Sequence, residues 1–378
     1  MPEGWCGIDM KVLLAGGGTA GHINPALSIA GAVRDLDSDN QILFIGKKGN
    51  MEEKLVSDAG YDMQFIDIEG LRRSLSPRNL LVVYKTVKAI ADCKRIMRTF
   101  NPDAVICTGG YVSGPVMCAA SALHIPSLIH EQNVYPGVTV RMSEKYARYI
   151  AISFPETKQL MHQPEKCVFT GNPVRKELLC ADRQQSRTAL GLDDRPFVLA
   201  FGGSLGAQKI NEAVVDYIQR IVSNDSVQLL FGTGTRNYDA VCQMLQQVKI
   251  DLAAHKNIRI VPYIYNMSEA MAAADVVISR AGAISISEIT ALGKASILIP
   301  SPNVVHHHQE TNAQLLQKHD AAVVIAEEYL NGQTLKEKID AITGDIHRQH
   351  TIQKNARRMG VTDATQKLVS LVVQMCQK

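Results

Sequence analysis

Tryptophan occurs once in these 378 residues, and the aromatic residues together make up only 5%. The eight cysteines (Cys6, Cys93, Cys107, Cys118, Cys167, Cys180, Cys242 and Cys376) never form a CxxC pair or any other ligand-like spacing, which argues against a zinc site. Charge of one sign is also missing: 40 Lys and Arg face 37 Asp and Glu, a net charge of +3. That balance excludes nucleic-acid binding over the whole surface, so any basic site must be local. No run approaches the roughly 18 apolar residues of a membrane-spanning helix, and the nearest, Gly114 to Leu128, is interrupted by Ser121 and His124. A charged start followed by an apolar stretch is absent as well, so reduced thiols of a cytosolic protein are expected. What remains is an ordinary globular composition, 46% hydrophobic and 20% charged. At roughly 100 to 200 residues per domain, the length predicts two domains and a cleft.

Short β-branched runs alternate with helical stretches throughout. Lys11 to Ala15, Gln41 to Ile45, Met63 to Ile68, Ala104 to Cys107, Ser127 to His130 and Tyr149 to Ile152 read as buried strands of a parallel sheet covered on both faces. A second series follows: Phe197 to Phe201, Val227 to Phe231, Ile258 to Val261, Val276 to Ser279, Ser296 to Ile299 and Ala322 to Ile325. Two such series predict an α/β protein with two Rossmann-like, doubly wound domains. The restart shows in the letters too, since Leu14-Ala15-Gly16-Gly17 is echoed by Leu199-Ala200-Phe201-Gly202-Gly203. The proline-bearing segment between Pro155 and Arg183 reads as the hinge. This predicts a first domain over residues 10–170 and a second over 171–352, with a helical segment 353–378 packing back onto the first.

Gly16 to Gly21 follows a strand and precedes a helix, the context that a G-x-G-x-x-G phosphate or dinucleotide turn requires. The second strand ends Ile45-Gly46-Lys47-Lys48 rather than in an acid, which speaks against NAD and leaves NADP open. His22 stands at the start of the following helix, where a cation is destabilised. A neutral ring there is ready to accept a proton, or serves only as a cap-region histidine. A further glycine cluster, Thr108 to Pro115, reads either as a second cradle or as close helix-on-sheet packing. Glu131-Gln132-Asn133 opens at the C-terminal end of a strand, where such sheets place their chemistry, and makes Glu131 a rival base.

In the second half, Gly202 to Gln208 repeats the anion-cradle pattern, with Ser204 adding a hydroxyl. Gly171-Asn172-Pro173-Val174-Arg175 brings a guanidinium through a rigid turn, suited to bidentate phosphate recognition. Glu288 stands one turn into a helix after Ser279 to Gly282, able to accept from ribose hydroxyls or simply to favour the helix dipole. His306, His307 and His308 read as a polar loop rather than a metal site, while Gln309 and Asn312 share a face that suits sugar hydroxyls.

In order, GGGTAGHINPAL, GGYVSGP, HEQN, GNPVR, GGSLGAQ, SRAGAISISE and HHHQETNA resemble the MurG family, the N-acetylglucosaminyltransferases of bacterial cell-wall synthesis. The likeness covers nearly the whole chain. It implies a GT-B fold, two Rossmann-like domains facing across a cleft, with the lipid acceptor on the first and UDP-GlcNAc mainly on the second. Motif by motif, it implies that Arg175 and Ser204 contact the diphosphate, Ile264 the uracil through its backbone, and Glu288 the ribose. Ala283, Ile284, Ser285, Ile286 and Ser287 would line that pocket, Gln309 and Asn133 hold the GlcNAc, and Thr19, Ala20, Gly21 and His22 close over it. Ala20 stands where the family often has glycine, a change that matters only if position 20 needs positive φ. The usual family start falls near Lys11, which makes Met10 a second candidate initiator.

The implied reaction is an inverting transfer of GlcNAc to the C4 hydroxyl of undecaprenyl-pyrophosphoryl-MurNAc-pentapeptide (lipid I), giving lipid II. His22 is the first candidate base and Glu131 the alternative. The helix N-terminus after Gly206 and the Arg175 guanidinium would stabilise the leaving UDP, so no metal or other cofactor is called for. A lipid-linked acceptor implies contact with the inner face of the cytoplasmic membrane, and other cell-wall synthesis proteins as candidate partners. Leu80, Val83, Tyr84, Val87 and Ile90 fall on one helical face near Arg72, Arg73, Arg78, Lys85 and Lys88, which suits an anionic membrane surface or an ordinary amphipathic helix. The competing functions are a UDP-GlcNAc epimerase, another GT-B transferase, and a non-catalytic UDP-sugar sensor.

Overall fold

A computed structural model describes residues 9–70, 78–203, 206–304 and 307–377, with the backbone alone at 78–81. The chain divides into two compact units, Met1–Pro173 with Asp363–Lys378, and Val174–Thr362.

Among its described residues the first unit holds seven parallel strands: β1 (Lys11–Ala15), β2 (Gln41–Gly46), β3 (Asp62–Phe65), β4 (Ala104–Cys107), β5 (Ser127–Glu131), β6 (Tyr149–Ile152) and β7 (Cys167–Phe169). Their order is β3-β2-β1-β4-β5-β6-β7. Alternate residues of one strand serve opposite faces. Leu13 and Ala15 join Ile45, Val105 and Ile129 in a core under the helices Arg78–Phe100 and Ser113–Ala122. Val12 and Leu14 join Phe44, Ile106 and Leu128 in a core under the helices Ala20–Leu36 and Ala364–Cys376. Both faces are covered, which is why these strands read as unbroken apolar runs instead of alternating ones.

The second unit repeats the plan with, among its described residues, six parallel strands: β8 (Phe197–Phe201), β9 (Gln228–Gly232), β10 (Ile258–Val261), β11 (Val276–Ser279), β12 (Ala295–Leu298) and β13 (Val323–Val324), ordered β10-β9-β8-β11-β12-β13. In each sheet the winding direction reverses once, between β1 and β4 and between β8 and β11. At such switch points the following loops diverge and leave a crevice at the carboxyl ends of the strands.

Three features depart from the sequence reading. The run to Ile68 leaves the ladder at Phe65, on the edge strand β3. The three-residue β7 lies within the segment read as hinge, too short to leave a periodic signal. The stretch expected as one C-terminal helix is two, Ile346–Met359 and Ala364–Cys376. Gly360, Val361 and Thr362 are poor helix formers and interrupt it. The first of the two belongs to the second unit; the last packs Leu368, Val372 and Met375 into the first unit's core.

Candidate active site

The first unit's crevice is framed by the turns after β1 and β4, and these two turns pack on each other. The Gly17 N–H donates to the Gly109 carbonyl at 3.4 Å. Gly109 has φ of 109°, and a Cβ there would sit 2.6 Å from His22 Nδ1, so only glycine lets the histidine ring lie against the backbone. The second glycine cluster is thus a packing surface for His22. Ala20 is the first residue of the helix Ala20–Leu36, so the replacement of glycine there demands no left-handed backbone.

His22 Nδ1 lies 3.1 Å from the Thr108 carbonyl and 3.1 Å from Gln132 Oε1. A ring nitrogen facing two acceptors must carry the proton, so the neutral imidazole has its lone pair on Nε2.

Beneath the Gly16 to Gly21 turn lies a residue that motif reading missed. Glu52, fully buried, accepts from the Gly18 N–H at 3.2 Å and from the Lys47 N–H at 3.3 Å. In a phosphate cradle those amides face the anion; here a carboxylate of the same chain takes one of them and its charge repels phosphate. In the sequence Glu52 is only an acid in the first turn of the helix Met51–Asp58, which gives no sign of the glycine turn it serves.

Glu131, 2% exposed, is spent on its own loop. Its Oε1 accepts from the Asn133 N–H at 2.9 Å and from Asn133 Nδ2 at 3.2 Å, and its Oε2 from the Gly137 N–H at 2.7 Å. Burial pushes its carboxyl above the usual range, and those N–H groups pull it back. Asn133 is thereby held beside β5. Thr19 flanks the helix start without a side-chain cap bond, and Gly21 lies within the first turn.

In the second unit the turn after β8 leads into the helix Gln208–Ile221. The Gly206 N–H stays within the turn, bonding the Gly203 carbonyl at 3.0 Å. A Cβ on Gly206 would lie 2.2 Å from the Thr233 carbonyl, which ties the turn to the end of β9. Ser204, expected at the diphosphate, lies outside the described residues, as does His306. Arg175 precedes the short helix Lys176–Cys180 and donates from Nε to Glu288 Oε1 at 3.0 Å; the two side chains are 53% and 12% exposed. Burial raises the Glu288 carboxyl, against the pull of the guanidinium.

Glu288 sits on the helix Ala283–Leu292, which follows β11 across the switch point from the Gly202 turn. Ile284, Ser285 and Ser287 are partly exposed on it, while Ala283 is buried and Ile286 fully so. Ile286 therefore points into the interior, and its N–H donates to the Gly282 carbonyl at 2.9 Å. Ile264 is buried as well and fits against Gly232, which leaves the backbone as its polar group. Gln309 accepts from the Ser301 N–H through Oε1 at 2.9 Å, and Asn312 is buried, donating to the Ala281 carbonyl at 3.3 Å. Among the described residues no three His, Cys, Asp or Glu side chains gather closely enough to hold a metal ion.

Of the amphipathic face on the helix Arg78–Phe100, Val83, Tyr84 and Val87 are 56%, 65% and 62% exposed. Ile90 instead packs against the core, and Lys85 pairs with Asp67 and Glu69. Arg72 and Arg73 lie outside the described residues, as do the side chains of Arg78 and Leu80. Among the described residues no helix is long and apolar enough to cross a membrane.

Two parallel-sheet domains, each with a glycine turn and polar side chains at its switch point, define a GT-B type glycosyltransferase. Residues 12–152 match the glycosyltransferase family 28 N-terminal domain, and residues 197–368 the family 28 C-terminal domain. The chain belongs to the MurG family within that group. It is 43% identical over 364 residues (96% of this chain, 97% of the relative) to the "UDP-N-acetylglucosamine--N-acetylmuramyl-(pentapeptide) pyrophosphoryl-undecaprenol N-acetylglucosamine transferase" of Acetivibrio thermocellus. It is 42% identical to the protein of that name from Bacillus licheniformis, over 97% of this chain and 99% of the relative. The crystal structure of Acinetobacter baumannii MurG aligns with a TM-score of 0.77 at 28% identity, covering 97% of this chain and 99% of that one. A UDP-GlcNAc 2-epimerase from Neisseria meningitidis shares the fold, with a TM-score of 0.68, but only 14% of the sequence over 97% of this chain and all of the other.

Proposed function

We propose that this chain is an inverting N-acetylglucosaminyltransferase that moves GlcNAc from UDP-GlcNAc to the C4 hydroxyl of the MurNAc unit of lipid I, giving lipid II. Family membership over almost the full length carries this reading, and the epimerase alternative has the likeness of fold alone. In the reaction a base takes the proton of the acceptor hydroxyl while that oxygen attacks the anomeric carbon and UDP departs from the opposite face. His22 fits the base better than Glu131, because its Nε2 holds the lone pair and Glu131 is committed to backbone N–H groups. Arg175 and Ser204 take the diphosphate, with the helix N-terminus after Gly206 offsetting charge on the leaving group. Glu288 takes the ribose, the Ile264 backbone the uracil, and the Ala283 to Ser287 turn lines that pocket. Gln309 and Asn133 hold the sugar, and Thr19 to Gly21 flank it. The first domain, with the last helix, takes the acceptor, and the second, Val174–Thr362, the donor.

UDP release measured with and without a lipid-pyrophosphoryl-muramoyl acceptor tests the reaction. Release only with the acceptor is expected; equal release without it, or conversion of UDP-GlcNAc into an epimer, would overturn it.

The reading extends to the cytoplasmic face of the cell membrane, where a peripheral protein would meet a lipid-anchored acceptor, and to peptidoglycan synthesis, cell shape and division. The exposed apolar trio Val83, Tyr84 and Val87 supports this, being open surface on a helix that also carries basic side chains. Changing all three to serine should weaken binding to anionic vesicles by about 10-fold, as sedimentation would show. Undiminished binding would move the contact elsewhere.

A further inference from the structure

The buried polar residues around β5 form a chain whose hydrogen-bond polarity is settled by elimination. The Gln132 amide is 2.8 Å from the Thr108 carbonyl and 3.2 Å from the His130 carbonyl. Carbonyls only accept, so the end facing them is the NH2 group and the other end, Oε1, faces His22 Nδ1 at 3.1 Å. The same NH2 lies 3.1 Å from His130 Nδ1, which accepts because the other ring nitrogen, Nε2, faces the Gly171 carbonyl and must donate. His130 Nε2 then carries the proton, and it faces the Gly171 carbonyl and Ser153 Oγ, each at 3.2 Å. Ser153 Oγ lies 2.8 Å from Asn172 Oδ1, and Asn172 Nδ2 donates back to the Gln132 carbonyl at 3.0 Å. His130 and Gln132 are 0% and 2% exposed, so water does not compete for these bonds.

We propose that Gln132, anchored by His130, is the positioning residue that fixes the orientation and the Nε2-basic tautomer of His22. The chain of bonds has one consistent direction from Gly171 to His22, and every group in it can be neutral. It differs from a dyad in which a carboxylate orients the imidazole: an amide selects the tautomer without adding a negative charge beside the ring. The Thr108 carbonyl alone would leave the ring free to pivot. Gln132 supplies the second acceptor, and it cannot rotate its amide without setting oxygen against oxygen at both Thr108 and His130. The proposal rests on the reading of His22 as the base, but its first readout does not.

The test uses protein labelled with 15N-histidine, with ring resonances of His22 assigned by their loss in His22→Ala. Two-bond proton–nitrogen correlations should show the Nδ1–H tautomer in the unsubstituted protein and a mixture in Gln132→Leu. Turnover of Gln132→Leu should fall by about 10-fold or more, the scale of losing an outer partner of a functional imidazole, with KM for UDP-GlcNAc unchanged. His130→Leu should behave likewise. His130→Asn keeps an acceptor where Nδ1 stood and should restore most of both readouts, which a general packing role would not do. If Gln132→Leu fails to fold, the two His130 variants carry the same comparison. An unshifted tautomer in Gln132→Leu, or in His130→Leu where that pair is used, overturns the proposal whatever the turnover. A shifted tautomer at full turnover upholds the positioning role and instead overturns His22 as base.

Discussion

The two turns that open the two sheets, Gly16 to Gly21 and Gly202 to Gly206, read alike and are filled differently. In the first, the buried Glu52 carboxylate takes the Gly18 N–H and His22 packs on Gly109. In the second, the Gly206 N–H bonds within the turn, and the nearby pair of strongly polar side chains, Arg175 and Glu288, is half open to solvent on the arginine side. A glycine motif determines that the chain can turn and approach closely. Whether the turn then offers its amides to a ligand depends on what other segments bring beneath it. The first turn has its leading glycines buried against Glu52 and the Gly109 turn, with His22 half-buried behind it. The second lies across the switch point from the helix that carries Glu288, whose carboxylate is paired with Arg175.

The sharpest break would come at His22. His22→Ala should lower kcat by on the order of 10² to 10⁴, with KM for UDP-GlcNAc little changed, in steady-state assays of UDP release. Near-normal turnover, together with its abolition in Glu131→Ala, would transfer the role to Glu131. Next in size is the response to acid. Burial lowers His130 from 6.5 to about 4, so between those pH values the unfolded chain binds a proton that the folded one refuses. Stability should therefore drop by up to about 3 kcal/mol as pH falls through that window, and His130→Asn should flatten that part of the Tm-against-pH curve. An unchanged slope would mean that the ring is wetter than its surroundings imply.

Arg175→Ala should weaken UDP binding by roughly 10- to 100-fold in calorimetry, the range for a lost charge-assisted hydrogen bond. Unaltered affinity would remove this neighbourhood from the donor site and with it one side of the contrast. The smallest effect is expected for Glu52→Gln, a loss of about 1 to 2 kcal/mol of stability with UDP affinity unchanged. Tighter UDP binding in that variant would show that the first turn does see phosphate and is merely guarded by Glu52.

The strand-turn-helix order of both domains was legible because parallel strands buried on two faces announce themselves as short apolar runs, and because both turns carry glycine. That His22 stands in the first turn of the helix behind the glycines was legible too. Glu52 was not, since an acid at the start of a helix reads as favourable to the helix dipole wherever it points. Nor was the inward direction of Ile286, within a stretch of alternating apolar and serine residues that suggests a uniform lining. Ile90 could not be told from Val87 by helical spacing alone; only packing separates the face on the core from the face on solvent.

By itself, then, the sequence determined the two α/β domains, the glycine turns at their switch points and, through seven ordered motifs, the family. Tertiary structure alone decided that Glu52 closes the first turn from 34 residues away and that Gln132 selects the tautomer of His22 from 110 residues away. The reason is physical: local pattern governs backbone conformation, whereas burial and the direction of a hydrogen bond belong to pairs of groups that only the folded chain brings together.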